Sequence, residues 1–271
     1  MENIRTYNSM MSFTSIGASI DNSVMDGRGP YTFRISGENY HQIGSLLPSE
    51  GQPPRFAQLY IYDTQFEARN RIHALGRFNN STGIRQSTVE DLQHMLDECN
   101  PYVHVFRNAR DILQTGDIRD MRIRILRSRP GGQYLRPTAD EVAALIVGGE
   151  DGHEMGGDII VRQLDGNLQR IYGTHPSYMA LQYPLLFPYG TDSWERGIPF
   201  ARGSTSNNQG VTICQYYAFR IQFRSNEANI LLRGGRLFLQ FLVDCFTVIE
   251  QWRLHYVRSH QVQLRLSLIH I

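Results

Sequence analysis

The chain has 271 residues, of which 41% are hydrophobic and 20% charged, a composition typical of a globular protein with one large domain or two small ones. All 27 basic residues are arginine, and the absence of lysine excludes a Gly-Lys-Ser/Thr phosphate-binding loop and lysine Schiff-base chemistry. Because residues 237–249, the longest apolar stretch, are too few to span a bilayer and the N-terminus resembles no secretory signal, we expect a nuclear or cytoplasmic protein that is neither secreted nor membrane-bound.

The formal net charge of +1 conceals a strong segregation of charge along the chain. Residues 101–137 carry 8 arginines and 3 aspartates, and residues 196–271 carry 9 arginines and 3 acidic residues. Residues 138–195, in contrast, carry 2 arginines and 9 acidic residues. A nearly neutral chain of this kind is expected to present local basic surfaces.

The N-terminal quarter of the chain gives weak structural signals. Residues 1–50 are rich in Gly, Ser and Asn and are interpreted as an irregular segment with short strands around residues 31–35. The apolar run at residues 56–62 predicts a buried strand, and Asp63 is a candidate N-cap for a helix ending near Leu75.

Two helices in series are predicted next. Ser87 and Glu90 have the spacing of a capping box for a helix that ends near Glu98. Asn100 followed by Pro101 predicts the start of a second helix, and Gly116 is expected to end it.

The following segment combines strand and helix patterns. Residues 121–126 alternate apolar residues with arginine, which predicts a strand with one buried and one solvent-facing side. Thr138 and Glu141 form a second candidate capping box, for a short helix that ends near Gly148. The Asp-Gly-Asn sequence at residues 165–167 predicts a β-hairpin between its flanking apolar runs.

The C-terminal part is predicted to be helical. Residues 191–211 have the composition of a linker, and helices are predicted over residues 212–229 and 235–260. The fold class is therefore α+β, with mixed strands and helices and a C-terminal helical pair. The predicted organisation is an irregular segment, an α+β accessory domain, a linker and a terminal helical region at residues 1–50, 51–190, 191–211 and 212–271.

No catalytic, metal or cofactor site is predicted from the sequence. The nine histidines include no His-x-His or His-x3-His pair, and the 14 tyrosines include no Tyr-x3-Tyr pair, so neither a metal-dependent nuclease nor a paired-tyrosine nuclease is indicated. The three cysteines lie too far apart for a metal knuckle.

Arginine supplies the candidate binding residues. One set, the strand arginines, comprises Arg122, Arg124, Arg127 and Arg129. A second set, the elbow arginines, comprises Arg220, Arg224, Arg233 and Arg236, with Tyr216, Tyr217 and Phe219 nearby. Arginine can bind phosphates in a bidentate manner while aromatic rings stack on bases, so both sets are candidate DNA contacts. The alternatives are a charged edge strand for the first set and a solvated helix face for the second.

Four unusual strings resemble plant Helitron transposon proteins of the helicase-like family. They are YHQIGSLLP at residues 40–48, FAQLYIYD at 56–63, HPSYMALQYPLLFPYG at 175–190 and GRLFLQFLVD at 235–244. The resemblance extends from about residue 4 to residue 265.

The resemblance implies a role in rolling-circle DNA transposition. In that family an initiator nuclease precedes a Pif1-type helicase, and this chain resembles the part that precedes both, with residues 212–271 as the truncated start of the nuclease region. Magnesium and ATP would then belong only to the missing parts of the parent protein, and the partners would be single-stranded DNA and those missing domains. The alternative is a scaffold segment, or a transposon relic, with no DNA affinity of its own.

Overall fold

A computed structural model describes residues 3–21, 32–74, 83–115, 121–126, 142–147, 158–164, 168–200 and 210–265. The fold is α+β, as predicted, with a helical pair towards its C-terminal end. One hydrophobic cluster runs from Met10 to Ile249 and contains side chains from nearly every element, so the described residues share a single core.

The N-terminal segment is more ordered than the sequence predicted. A helix, α1 (Ile4–Met11), is followed by four short strands, β1 (Ser15–Ile16), β2 (Ser19–Ile20), β3 (Ile35–Ser36) and β4 (His41–Ile43). Met10, Met11 and Phe13 are buried. The helix α1 was not predicted, because an element this short shows no clear periodic pattern and is fixed by the burial of a few apolar side chains. The strand β3 overlaps the short strands predicted around residues 31–35.

Residues 56–62 do not form the predicted strand. They form a 3-10 helix over Phe56–Tyr60, in which Ala57, Leu59 and Tyr60 are buried. The Gln58 side chain holds this turn, because it accepts a hydrogen bond from the Arg55 amide at 3.0 Å and donates to the Leu47 carbonyl at 3.1 Å. A short apolar run is compatible with either structure, and here tertiary hydrogen bonds select the helical turn.

The predicted helices after residue 63 are present. A 3-10 turn at Thr64–Phe66 leads into α2 (Glu67–Ala74), and α3 (Gln86–Cys99) and α4 (Pro101–Thr115) follow. The predicted capping residue Asn100 is confirmed, since its side-chain oxygen accepts the amides of Tyr102 and Val103 at 3.0 and 3.2 Å. The predicted side-chain caps at Asp63 and Ser87 are wrong: Asp63 makes no capping bond, and Ser87 lies inside α3.

Two small sheets contain the remaining strands. β5 (Met121–Ile125) is the central strand between β6 (Ala143–Val147) and β7 (Ile159–Arg162), and β4 lies between β1 and β8 (Gln169–Ile171). All of these pairings are antiparallel. The alternation predicted for β5 is confirmed, with Met121, Ile123 and Ile125 buried.

Two predictions in this region were wrong. Residues 143–147 form a strand rather than the predicted helix, because they pair along their whole length with β5; the proposed cap, Thr138 and Glu141, lies outside the described residues. The strands on either side of residues 165–167 belong to different sheets and do not pair as a hairpin. Each finds its partner far away in sequence, which a local turn signal cannot reveal.

The first part of the predicted linker is packed against the core. Ser193 accepts a hydrogen bond from the Met179 amide of α5 (Tyr178–Gln182), and Trp194 donates to the Val211 carbonyl, at 2.9 and 2.8 Å. The Trp194 ring also packs edge-to-face on Trp252, with 5.3 Å between centroids. Residues 191–200 are therefore part of the body of the protein, while residues 201–209 lie outside the described residues.

The C-terminal helices are α6 (Ile213–Arg220), α7 (Arg236–Ser259) and α8 (Gln261–Arg265). The prediction for α7 is close to the observed helix, whereas α6 ends about nine residues before the predicted end. The connection between α6 and α7 carries two of the four elbow arginines, Arg224 and Arg233, and the other two, Arg220 and Arg236, lie at its ends. Its conformation therefore determines the relative positions of the four side chains.

Candidate nucleic-acid interface

The connection from α6 to α7, residues 221–235, is held by one asparagine. Asn229 adopts a left-handed backbone conformation with φ of 50°. Its side-chain oxygen accepts a hydrogen bond from the Arg224 amide at 3.0 Å. Its side-chain nitrogen donates to the Arg224 carbonyl at 2.6 Å and to the Glu227 carbonyl at 2.7 Å. These bonds stop α6 from continuing, which explains why it is shorter than predicted.

Two glycines then turn the chain into α7. Gly235 has a positive φ of 52° at the start of the helix, a conformation that other residues adopt only at a cost. Gly234 packs so closely on Leu186 that a Cβ atom would lie 2.8 Å from the leucine Cδ2. The buried side chain of Leu231 anchors the same turn. The two arginines that flank the glycines, Arg233 and Arg236, are both exposed.

Arginine and phenylalanine side chains are adjacent at the end of α6. The Arg224 guanidinium lies 3.7 Å from the centre of the Phe219 ring and donates to the Phe219 carbonyl at 2.5 Å. Its contact with Glu227 is long, at 3.5 Å. Arg220 lies 5.4 Å from the centre of the buried Phe187 ring. Cation–π stacking of this kind positions a guanidinium while leaving its other donors available to a ligand.

Two phenylalanine rings on this segment face solvent. Phe219 is 58% exposed and Phe223 is 74% exposed. Between residues 196 and 243 the sequence contains six arginines and a single acidic residue, Glu227. We call the segment from Phe219 to Arg236 the basic elbow; it combines cationic groups with exposed aromatic rings, the two features that single-stranded nucleic-acid sites share.

The two tyrosines predicted to contact DNA lie instead against the core. Tyr217 is buried and packs edge-to-face on Phe241, and Tyr216 donates a hydrogen bond to the Asp192 carbonyl at 2.5 Å. Burial raises the pKa of Tyr216 to about 12 and that of Tyr217 well above its ordinary value. The Tyr217 ring is buried between α6 and α7, and the half-buried Tyr216 ring is held against Tyr217 and Asp192.

The exposed rings of the segment are Phe219, which the sequence placed near the elbow arginines, and Phe223, which the sequence did not single out. Phe219 and Phe223 lie four positions apart and directly precede Arg220 and Arg224. In a helix that spacing would place both rings on one face. The spacing was therefore a sequence signal for two aromatic rings beside the arginines. The early end of α6 turns Phe223 into the connecting segment and leaves it exposed.

The strand arginines lie elsewhere in the fold. Arg122 and Arg124 project from the half-buried face of β5, whose sheet packs against α4. Arg124 forms an ion pair with Asp158 at 2.6 Å, and Arg122 lies directly across from Arg162 of β7. The edge-strand alternative is wrong, because β5 is a central strand. Arg127 and Arg129 lie outside the described residues.

A second polar group of residues lies buried under α7. The Asp244 carboxylate accepts hydrogen bonds from His41 Nε2 at 2.7 Å, Asn39 Nδ2 at 2.8 Å, Tyr183 Oη at 2.9 Å and Tyr178 Oη at 3.2 Å. The His41 ring also stacks on Tyr178, with 3.7 Å between centroids. Burial and the nearby Asp244 carboxylate raise the pKa of both tyrosines well above the ordinary value.

The contacts of this buried group join separate parts of the fold. Asp244 and His41 are almost fully shielded from solvent, and the raised pKa values keep the two phenols protonated as hydrogen-bond donors at physiological pH. The sequence contained one signal for it, since Asp244 lies three residues after Phe241 and four before Val248 on the buried face of an amphipathic helix.

Within the described part of the chain, no group of three or more histidine, cysteine, aspartate or glutamate residues is arranged to hold a metal ion. None of the described helices combines the length and apolar character needed to cross a membrane. Comparison of the chain with protein-family models, with curated proteins and with solved structures finds no match.

Proposed function

We propose that this chain is a non-catalytic, DNA-binding N-terminal portion of a Helitron-type rolling-circle transposase, and that it binds single-stranded DNA through the basic elbow. The observation that carries the proposal is the placement of solvent-facing phenylalanine rings among four arginines on a segment with one acidic residue. The Helitron part rests on the four sequence strings that resemble that family.

The chemistry of the elbow favours single strands over duplex DNA. Each exposed phenylalanine offers a flat face to an unstacked base, while the neighbouring guanidinium groups can bind the adjoining phosphates. The only helix in the connection between α6 and α7 is a single 3-10 turn, Leu232–Gly234, and all residues of the connection are described. The connection therefore lacks the element that most often enters the major groove of a duplex.

The first test is charge reversal of the elbow. We expect replacement of Arg220, Arg224, Arg233 and Arg236 by glutamate to abolish measurable binding to a single-stranded oligonucleotide at 150 mM salt, on the order of physiological ionic strength. Single substitutions should each reduce the slope of log K against log salt by roughly 0.7. Fluorescence anisotropy of a labelled oligonucleotide over a salt series measures both quantities.

A matched control reverses the same number of charges elsewhere. Arg34, Arg69, Arg85 and Arg196 are all exposed and lie outside the elbow, so their replacement by glutamate should preserve most of the affinity and the dependence on salt. Equal losses in the two variants would indicate nonspecific attraction. An absence of DNA binding by the unmodified chain would favour the alternative function, a scaffold segment of the parent protein.

A second prediction concerns base stacking. Replacement of Phe223 by alanine should weaken single-strand binding roughly 5- to 150-fold, since stacking of one base on an aromatic ring contributes about 1 to 3 kcal/mol. The slope of affinity against salt should not change, because no phosphate contact is removed. The same titration of Phe66→Ala, which removes a half-exposed ring far from the elbow in sequence, should match the unmodified protein.

A further inference from the structure

A row of side chains runs along α7 and α8 on the face that points away from the core. The core side of α7 carries Leu237, Phe241, Cys245 and Val248. The opposite row, which we call the outer seam, is exposed or half-buried throughout. Its members are Leu239, Val243, Phe246, Glu250, Arg253, Val257, His260 and Leu264.

The spacing of the outer seam is that of a coiled coil. Successive members are four, three, four, three, four, three and four residues apart, which is the alternation of a and d positions in a heptad repeat. At 1.5 Å per residue the seam is about 39 Å long. Five of its eight residues are apolar, and Phe246, in its first half, is 65% exposed.

The second half of the seam projects beyond the body of the protein. Residues 253–259 of α7 are exposed on every side of the helix, whereas residues 237–249 rest on the core. Within the described part of the chain, the apolar side chains Leu254 and Val257 of this helix end are exposed. The helix end therefore offers an interaction surface of defined length.

We propose that two copies of this chain associate through the outer seam as an antiparallel pair of helices. The seam is self-complementary about a point between Gln251 and Trp252. Antiparallel pairing places a positions opposite d positions, which brings Leu239, Val243, Phe246 and Glu250 of one copy against Leu264, His260, Val257 and Arg253 of the other. The projecting end of each copy then covers the exposed apolar face of its partner.

The charges of Glu250 and Arg253 favour the antiparallel orientation of the two helices. Glu250 and Arg253 form an exposed ion pair within one helix at 2.6 Å, and in the antiparallel pair each also meets its opposite charge on the second copy. A parallel pair in register would place Glu250 against Glu250 and Arg253 against Arg253, which is repulsive. The two charged layers lie at the centre of the seam, where they fix the register of an isologous interface.

The helix junction is compatible with a continuous seam. His260, with φ of −112° and ψ of 24°, separates α7 from α8. The His260 amide donates to the Tyr256 carbonyl and the His260 carbonyl accepts from the Leu264 amide, both at 3.0 Å, so His260 is hydrogen-bonded to the helical turn on each side. The pairs of Phe246 with Val257 and of Glu250 with Arg253 lie within α7. The pair of Leu239 with Leu264 extends the contact onto α8.

The decisive experiment compares two valines by sedimentation analysis of the full chain without DNA. Val257 lies on the seam in α7 and is 44% exposed, whereas Val262 lies off the seam in α8 and is 79% exposed. We expect Val257→Glu to raise the dissociation constant of the dimer by a factor of about 100 or more. Val262→Glu should leave it unchanged.

Disulfide trapping tests the orientation. In a Cys214→Ser background, which removes the exposed cysteine, a mixture of Phe246→Cys and Val257→Cys chains should form mixed disulfide dimers on mild oxidation. Phe246→Cys alone should not, since the two copies of position 246 would lie about 16 Å apart along the axis.

Three results would overturn the proposal. These are a monomer at every concentration tested, equal sensitivity of the dimer to Val257→Glu and Val262→Glu, and disulfide formation by Phe246→Cys alone. Stable capture of a different protein by a chain that stays monomeric would assign the seam to another occupant. Because none of these measurements involves DNA, failure here is distinguishable from failure of the proposed function.

Discussion

Replacement of Asp244 by alanine is expected to lower the free energy of unfolding by about 3 to 5 kcal/mol. The carboxylate accepts four hydrogen bonds from His41, Asn39, Tyr178 and Tyr183. Alanine would leave these buried donors without their acceptor and would also create a cavity. Alanine favours helix more than aspartate does, so any loss of stability comes from the buried contacts.

Urea unfolding followed by far-ultraviolet circular dichroism measures this effect. Asp91→Ala is the matched control, because it removes an exposed aspartate from another helix, α3, and should change the free energy of unfolding by less than about 0.5 kcal/mol. If the alanine variant is too unstable to isolate, Asp244→Asn keeps the size of the side chain, and we expect a loss of about 1 to 3 kcal/mol. Stability equal to that of the unmodified chain in both Asp244 variants would contradict the structural role.

The hydrogen bonds of Asp244 join distant parts of the chain, which explains the large expected loss of unfolding free energy in Asp244→Ala. His41 belongs to β4, Tyr178 lies in α5 and Tyr183 directly follows it, while Asp244 lies near the middle of α7. A single carboxylate therefore connects the N-terminal sheet to the C-terminal helix across more than 200 residues of sequence. The helix that carries the proposed dimer seam is fixed to the body at this point.

Local signals predicted the elements that local interactions determine. The start of α4 follows from the Asn100 side chain, the strand β5 from strict alternation, and α7 from a sustained 3.6-residue pattern. Each of these patterns needs only neighbours within a few residues. Such elements can be predicted from one sequence because the same residues that give the signal make the stabilising contacts.

Elements decided by distant contacts were predicted wrongly. Residues 143–147 are a strand because they pair with β5, and β8 pairs with β4 about 130 residues earlier. The 3-10 helix at Phe56–Tyr60 depends on the Gln58 side chain reaching the Ser45 and Leu47 carbonyls. None of these partners is visible in the local pattern of apolar residues.

In the candidate interface, too, some features could be predicted from local sequence and others depended on tertiary packing. Composition identified the arginines of the elbow, because an excess of charge can be counted without a structure. Which aromatic rings accompany them depended on burial: Tyr217 packs under α7, while Phe223 is exposed where the chain leaves α6. Distinguishing a core ring from a surface ring required the position at which the helix ends.

Replacement of Arg71 by methionine is expected to cost about 3 to 5 kcal/mol of unfolding free energy at neutral pH. Arg71 is fully buried, donates to Glu67 at 2.6 and 2.9 Å and to the Met10 carbonyl, and lies 4.2 Å from the centre of the Tyr60 ring. Methionine preserves much of the packing but leaves the buried Glu67 carboxylate with Arg107, at 2.8 Å, as its remaining ion-pair partner.

The pH dependence of this loss identifies its cause. Burial alone would raise the pKa of Glu67, but Arg71 and Arg107 hold that pKa below the ordinary value of 4.5. The ionised group therefore stabilises the unmodified fold above the unfolded-state pKa, and this contribution is lost as the pH falls through the lower folded-state pKa. Without Arg71 the effect of burial is less opposed, so the deficit of Arg71→Met relative to the unmodified chain should be largest near neutral pH and should shrink below pH about 4.5.

Urea titrations at several pH values test this expectation, with Arg69→Met as the control, since it removes an exposed arginine from the same helix and should change stability by less than about 0.5 kcal/mol. A deficit that is independent of pH would show that lost packing, rather than the unbalanced carboxylate, destabilises the variant.

The comparison matters for the fold because Arg71 and Arg107 connect α1, α2, the 3-10 helix at Phe56–Tyr60 and α4 through Glu67 and two backbone carbonyls. Removal of one cation should therefore loosen the N-terminal half, while the network around Asp244 continues to hold α7 in place.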